Sequence, residues 1–244
     1  MARLNVPSLQ QVIKNLFDTP DLVRKELVKT ALKPPRISYR ILHKATLDLV
    51  RLRSPLAQIE EDIRRIEKRP THQKNLLETI RLIDRHFSTL EPDFPPIEVE
   101  CRHYQIAPDI IIPFQPPLCY GIGGQLHLPY PNYWRNNPLR GKRLSVFMTI
   151  VDEIREQEPD LEKARVHILN YGIPQGETER RLIVVDEGEI PRVPRDELSA
   201  VLQIFADGYR AARDELAGVK MERDKEKDER RPYPNQSDLF GEWD

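Results

Sequence analysis

The stretch from Ile97 to Tyr130, IEVECRHYQIAPDIIIPFQPPLCYGIGGQLHLPY, limits this chain's folds most sharply. It holds three short apolar runs, 97–106, 109–114 and 120–128, broken by prolines and glycines. Runs of that length between turn residues are too short for helices and suit strands, so a three-stranded β-meander is expected. Side chains alternate along a strand, so Gln125 and His127 share one face while Leu126 and Leu128 share the other. Pro108-Asp109 opens the second run. If the second and third strands pair, Asp109 lies near the Gln125/His127 edge.

Helical patterns flank this stretch. Ser8 is placed to cap a helix carrying Leu9, Val12, Ile13, Leu16 and Phe17 on one face, and Thr19-Pro20 restarts it. Pro34-Pro35 stops that pair. A helix over 37–52 follows, with Ile41, Leu42, Ala45, Leu49 and Leu52 spaced for burial. Two more form a hairpin turning at Arg69-Pro70. Beyond the meander the spacing predicts a helix over 139–156, strands at 164–171 and 181–185, and a helix over 195–217. The fold class expected is therefore α+β: an all-helical N-terminal region (1–70), then a mixed β-sheet flanked by helices (71–218), then a charged tail (219–244).

Charge narrows the partners. Residues 1–90 hold 18 Lys/Arg and 10 Asp/Glu, against 20 and 29 in the remainder. A basic half and an acidic half imply different partners. Between Arg24 and Arg53 nine basic residues meet two acids, Glu26 and Asp48. Arg36, Arg40, Lys44, Arg51 and Arg53 are the candidate nucleic-acid contacts; a solvated helical face is the alternative. Few aromatics lie among them, so stacking on single strands is not indicated. The apolar runs are far shorter than a membrane span, and residues 1–10 lack an apolar signal core, so a cytoplasmic protein without a membrane partner is expected. Cys101 and Cys119 are expected as reduced core thiols. The loop 129–138 carries Tyr130, Tyr133 and Trp134 beside Arg135 and Arg140. A recognition loop is one reading; aromatics folding back over the sheet is the preferred one.

The Pro-Asp on one strand, with Gln125-Leu126-His127 on the next, resembles the PD-(D/E)XK nuclease superfamily and a group of bacterial proteins that carry the same hairpin in varied form. The order helix, three strands, helix, strand between Thr71 and Tyr171 is also the order of that superfamily's core. The resemblance implies that Asp109, Gln125 and His127 occupy the catalytic positions. Asp109 would be the metal ligand, with Gln125 where a second acid belongs and His127 where a lysine belongs. Mg²⁺ favours carboxylate oxygens, and an imidazole with an ordinary pKa of about 6.5 is a poor substitute for a permanent charge. An altered core that binds DNA without cutting it, and needs no cofactor, is therefore expected. The alternatives are an active Mg²⁺-dependent nuclease with a rearranged site, and a protein-interaction module with no nucleic-acid role. Near the C-terminus, Gln236-Ser237-Asp238-Leu239-Phe240 resembles the pentapeptide that docks bacterial replication and repair proteins on the sliding clamp. Gln236, Leu239 and Phe240 would be its contacts. Oligomeric state is not legible.

Overall fold

A computed structural model describes residue 4, residues 6–33 and residues 39–229, with side chains as far as 218. The fold is α+β. Five helices come first: α1 (Leu9–Lys14), α2 (Pro20–Leu32), α3 (Arg40–Val50), α4 (Leu56–Ile66) and α5 (Pro70–Phe87). Their boundaries have local causes. The Ser8 N–H donates to Gln11 Oε1 at 3.2 Å, and Thr19 Oγ1 accepts from the Leu22 N–H at 3.4 Å one residue ahead of Pro20.

Next come β1 (Arg102–Ala107), β2 (Ile110–Phe114), β3 (Tyr120–Ile122), β4 (Gln125–Asn132), α6 (Lys142–Glu156), β5 (Arg165–Asn170), β6 (Ile183–Asp186) and α7 (Arg195–Glu229). The expected three-stranded meander is corrected here. The run 120–128 is not one strand but the start of a hairpin, β3 and β4, folded at Gly123-Gly124. Both glycines have positive φ, 60° and 77°, as a two-residue hairpin turn of matching twist requires. Asp93 holds the turn from outside, accepting the Gly123 N–H at 3.1 Å and the Gly124 N–H at 2.8 Å.

Two sheets result. β1 and β2 form an antiparallel pair, and the second sheet has the order β3-β4-β5-β6. β4 and β5 run parallel, joined through α6, and the other two pairings are antiparallel. β2 is hydrogen-bonded to neither β3 nor β4.

The apolar core falls into two clusters. One joins α1 and α2 to β1, β2, β4, β5, α6 and α7. The other gathers Leu42, Leu49, Ile59, Ile63, Leu76, Ile80 and Ile83 from α3, α4 and α5 with Leu169 and Tyr171 of the second sheet. Each such side chain, fully buried, contributes about 1.5–3 kcal/mol before the entropy of ordering is set against it. Neither cluster ends at residue 70, because α5 packs on α3 and α4 while α2 packs on α7. α7 continues as helical backbone to Glu229, into the stretch expected as a tail. Among the described residues no helix is long and apolar enough to cross a membrane.

Candidate functional site

Asp109 lies in the turn between β1 and β2, and its surroundings are cationic. Arg210 Nη2 of α7 donates to Oδ1 at 2.7 Å, and Arg213 Nη1 donates to Oδ2 at 3.2 Å. The hydrogen-bonded Arg210 guanidinium is the main cause holding the Asp109 carboxyl down at about 2. The side chain remains 39% exposed. Asp109 therefore ties α7 to the tip of the first hairpin.

Gln125 and His127 stand on the other sheet. Gln125 Nε2 donates to the Lys163 carbonyl at 2.5 Å and to the Leu126 carbonyl at 3.1 Å, fastening β4 to the segment that enters β5. The His127 ring stacks on Tyr120 at 5.4 Å and on His167 at 5.0 Å. The expected meeting of Asp109 with Gln125 and His127 is corrected: the β1–β2 hairpin does not pair with β4. Asp109 also presents its oxygens to guanidiniums instead.

What β4, β5 and β6 do bring together is a line of titratable groups. His127 Nδ1 lies 2.7 Å from His167 Nε2, and His167 Nδ1 lies 3.5 Å from Asp186 Oδ2. One imidazole must donate and the other accept, so the pair cannot hold two extra protons and keep this bond. Burial pushes both rings below the ordinary 6.5; Arg165 reinforces this while Asp186 opposes it. With its Nδ1 proton facing Asp186, His167 accepts at Nε2 and His127 keeps a lone pair on its Nε2. The line can take up one proton at that atom and shift charge toward Asp186. His127 stood out in the sequence. Asp186, Tyr120 and the line itself did not, because no local pattern says which strands lie side by side.

The basic candidates divide. Arg36 lies outside the described residues. Arg40 and Lys44 are exposed and, four apart on α3, share a face. Arg51 pairs with Glu98 at 3.2 Å. Arg53 is exposed just past α3 with φ 54°. Lys44 and Arg53 make no ion pair among the described residues. Gln236, Leu239 and Phe240 lie outside the described residues.

The aromatics of the loop after β4 fold back. Tyr133 is buried, stacks on Tyr171 at 6.0 Å, and its hydroxyl lies 3.1 Å from Thr46 Oγ1. Trp134 sits under Lys14, 5.3 Å from the ammonium. Arg135 and Arg140 are left facing a cleft of about 680 Å³ at the end of the sheet. Fold and geometry thus define an α+β protein with a basic helix, a half-buried histidine pair and an arginine-lined cleft. No family model matches the chain, and no curated protein is significantly similar to it.

Proposed function

We propose that this chain is a DNA-associated accessory protein whose nuclease-like core binds without cutting. The state of Asp109 carries the reading. The one acid at the position where the resemblance needs a metal ligand is bound by Arg210 and Arg213, with neither Gln125 nor His127 beside it. A carboxylate so held is a poor Mg²⁺ ligand, because the ion must first displace two cations. The succession of α5, the strands β1 to β4, α6 and β5 supports the nuclease-like part, with β3 and β4 standing where one strand was expected. Lys44 and Arg53 support the nucleic-acid part, since they are exposed and make no ion pair among the described residues, and such cations can displace counterions from phosphates.

The test has two arms. Anisotropy of a labelled DNA duplex with the full chain should show binding at 50 mM salt that weakens steeply as salt rises, and the double variant K44E/R53E should abolish it. No binding at low salt, or binding indifferent to that variant, defeats the reading. Incubation with Mg²⁺ or Mn²⁺ should leave the duplex intact; cleavage that disappears in Asp109→Ala would replace this proposal with an active nuclease. The sliding clamp is proposed as a second partner, through Gln236, Leu239 and Phe240. A clamp pull-down should be lost on L239A/F240A.

A further inference from the structure

β4 and β5 are adjacent parallel strands joined through α6, and they end side by side at the register pair Asn132 and Asn170. In open α/β sheets, ligands sit in the crevice beyond the carboxyl ends of such strands. Here the two loops leaving those ends, 133–141 and 171–182, wall the 680 Å³ cleft. That volume is in the range of small-molecule sites, roughly 300–1,000 Å³.

The cleft is built rather than incidental. The Ile173 N–H donates to the Arg135 carbonyl at 2.8 Å, binding the two loops together. A Cβ on Gly172 would lie 3.0 Å from that same carbonyl oxygen and 3.0 Å from Asn170 Oδ1, so the loops approach as closely as a glycine allows. Below them, Asn132 Nδ2 donates to Asn137 Oδ1 at 2.7 Å and to Asn170 Oδ1 at 3.1 Å. Asn137 Oδ1 also accepts the Leu139 N–H at 2.9 Å, fixing the chain just before α6.

Three donors are left over. Asn170 lines the cleft at 8% exposure, and while its Oδ1 is occupied, its Nδ2 finds no acceptor among the described residues. The Arg135 and Arg140 guanidiniums make no hydrogen bond or ion pair among the described residues. α6 begins beside Arg140 with no side-chain cap and no acid in its first turn, so its positive end is uncompensated. The cleft's one carboxylate, Glu177, pairs with Arg181 at 3.2 Å. Ile173, Pro174 and Ile183 add an apolar wall, which suits the face of a flat ring.

We infer that this cleft binds the phosphate-monoester end of a nucleotide, with Arg135, Arg140 and the Asn170 amide on the phosphate and the base against the isoleucine–proline wall. The site is distinct from the α3 surface and stands whether or not α3 binds DNA. Calorimetry of the full chain with adenosine monophosphate should show binding, with adenosine at least ten-fold weaker. R135A and R140A should each weaken adenosine monophosphate about ten-fold or more, the loss expected for a charge-assisted hydrogen bond. Both arginines are exposed, so the variants should melt with the parent. K44E/R53E should leave this binding unchanged, so failure here and failure of the DNA reading remain separable. An oligonucleotide with a 5′-phosphate, against one with a 5′-hydroxyl, tells a strand end from a free nucleotide; preference for the phosphorylated strand supports the site as well. The inference is overturned if neither phosphorylated probe binds at millimolar concentration, or if R135A/R140A leaves binding intact.

Discussion

The Asp109 carboxylate shows how a single residue takes its character from what surrounds it. Its pKa falls from 3.8 to about 2 because Arg210 donates to it, so the ionised form favours the folded state. That contribution is complete above about pH 3.8 and is lost as pH falls through about 2. Asp109→Asn should therefore lower the melting temperature slightly at pH 7, and the gap from the parent should close as pH approaches 2 in a thermal melt series. The histidine pair has the opposite preference, for the neutral form. Below about pH 6.5 the unfolded chain takes up protons that His127 and His167 refuse when folded, so stability falls as pH drops from 7.5 to 5. His127→Phe keeps a ring between Tyr120 and His167 but removes one titrating group. It should flatten the dependence of melting temperature on pH without abolishing it, since His43 and His86 are also shifted down by burial. A parent curve flat across that range would refute this account of the pair.

At the scale of elements, the contact of α2 with α7 is set by Gly208. A Cβ there would lie 2.5 Å from Val23 Cβ and 2.6 Å from the Pro20 carbonyl oxygen, with backbone on one side and a branched residue on the other. Neither gives way cheaply, so Gly208→Ala should force the helices apart at a cost of about 1–3 kcal/mol, read as a lowered denaturant midpoint at unchanged slope. The apolar spacing of α7 was legible in advance, because Leu198, Leu202, Phe205, Tyr209, Ala212 and Leu216 recur at helical period and are buried. The helix it packs against was not, since spacing says which face is buried but not what buries it. The same limit explains the meander. The apolar pattern of Tyr120–Leu128 has one period before and after Gly123-Gly124, so pattern alone does not reveal a reversal held by Asp93, 30 residues upstream. Asp109 lies 101 residues from Arg210, and nothing local announces that pairing. The Asn132, Asn137 and Asn170 network had a local signal, asparagine being disfavoured in strands, but two strands had to be made neighbours before it formed a cleft floor.

Across the whole molecule the basic and acidic halves partly neutralise each other. Arg24 of α2 pairs with Glu215 of α7, and Arg51 pairs with Glu98. The first of these pairs also ties α2 to α7. Exposed cations that make no ion pair among the described residues include Lys44 and Arg53 near α3 and Arg135 and Arg140 at the cleft. The two populations answer differently to salt. Exposed pairs contribute at most about 1 kcal/mol each and are already screened at ordinary ionic strength, so raising salt to about 1 M should move the melting temperature by only a few degrees. Contacts to phosphates by contrast each release a counterion, and the logarithm of the DNA affinity should fall against the logarithm of salt with a slope of about −0.9 per contact. With Lys44 and Arg53 engaged, that slope should be about −2, and Lys44→Ala alone should make it shallower by about one unit. Melting and binding measured across one salt series separate the charges that hold this protein together from those that face a partner. A slope unmoved by Lys44→Ala would place the DNA contacts on another surface.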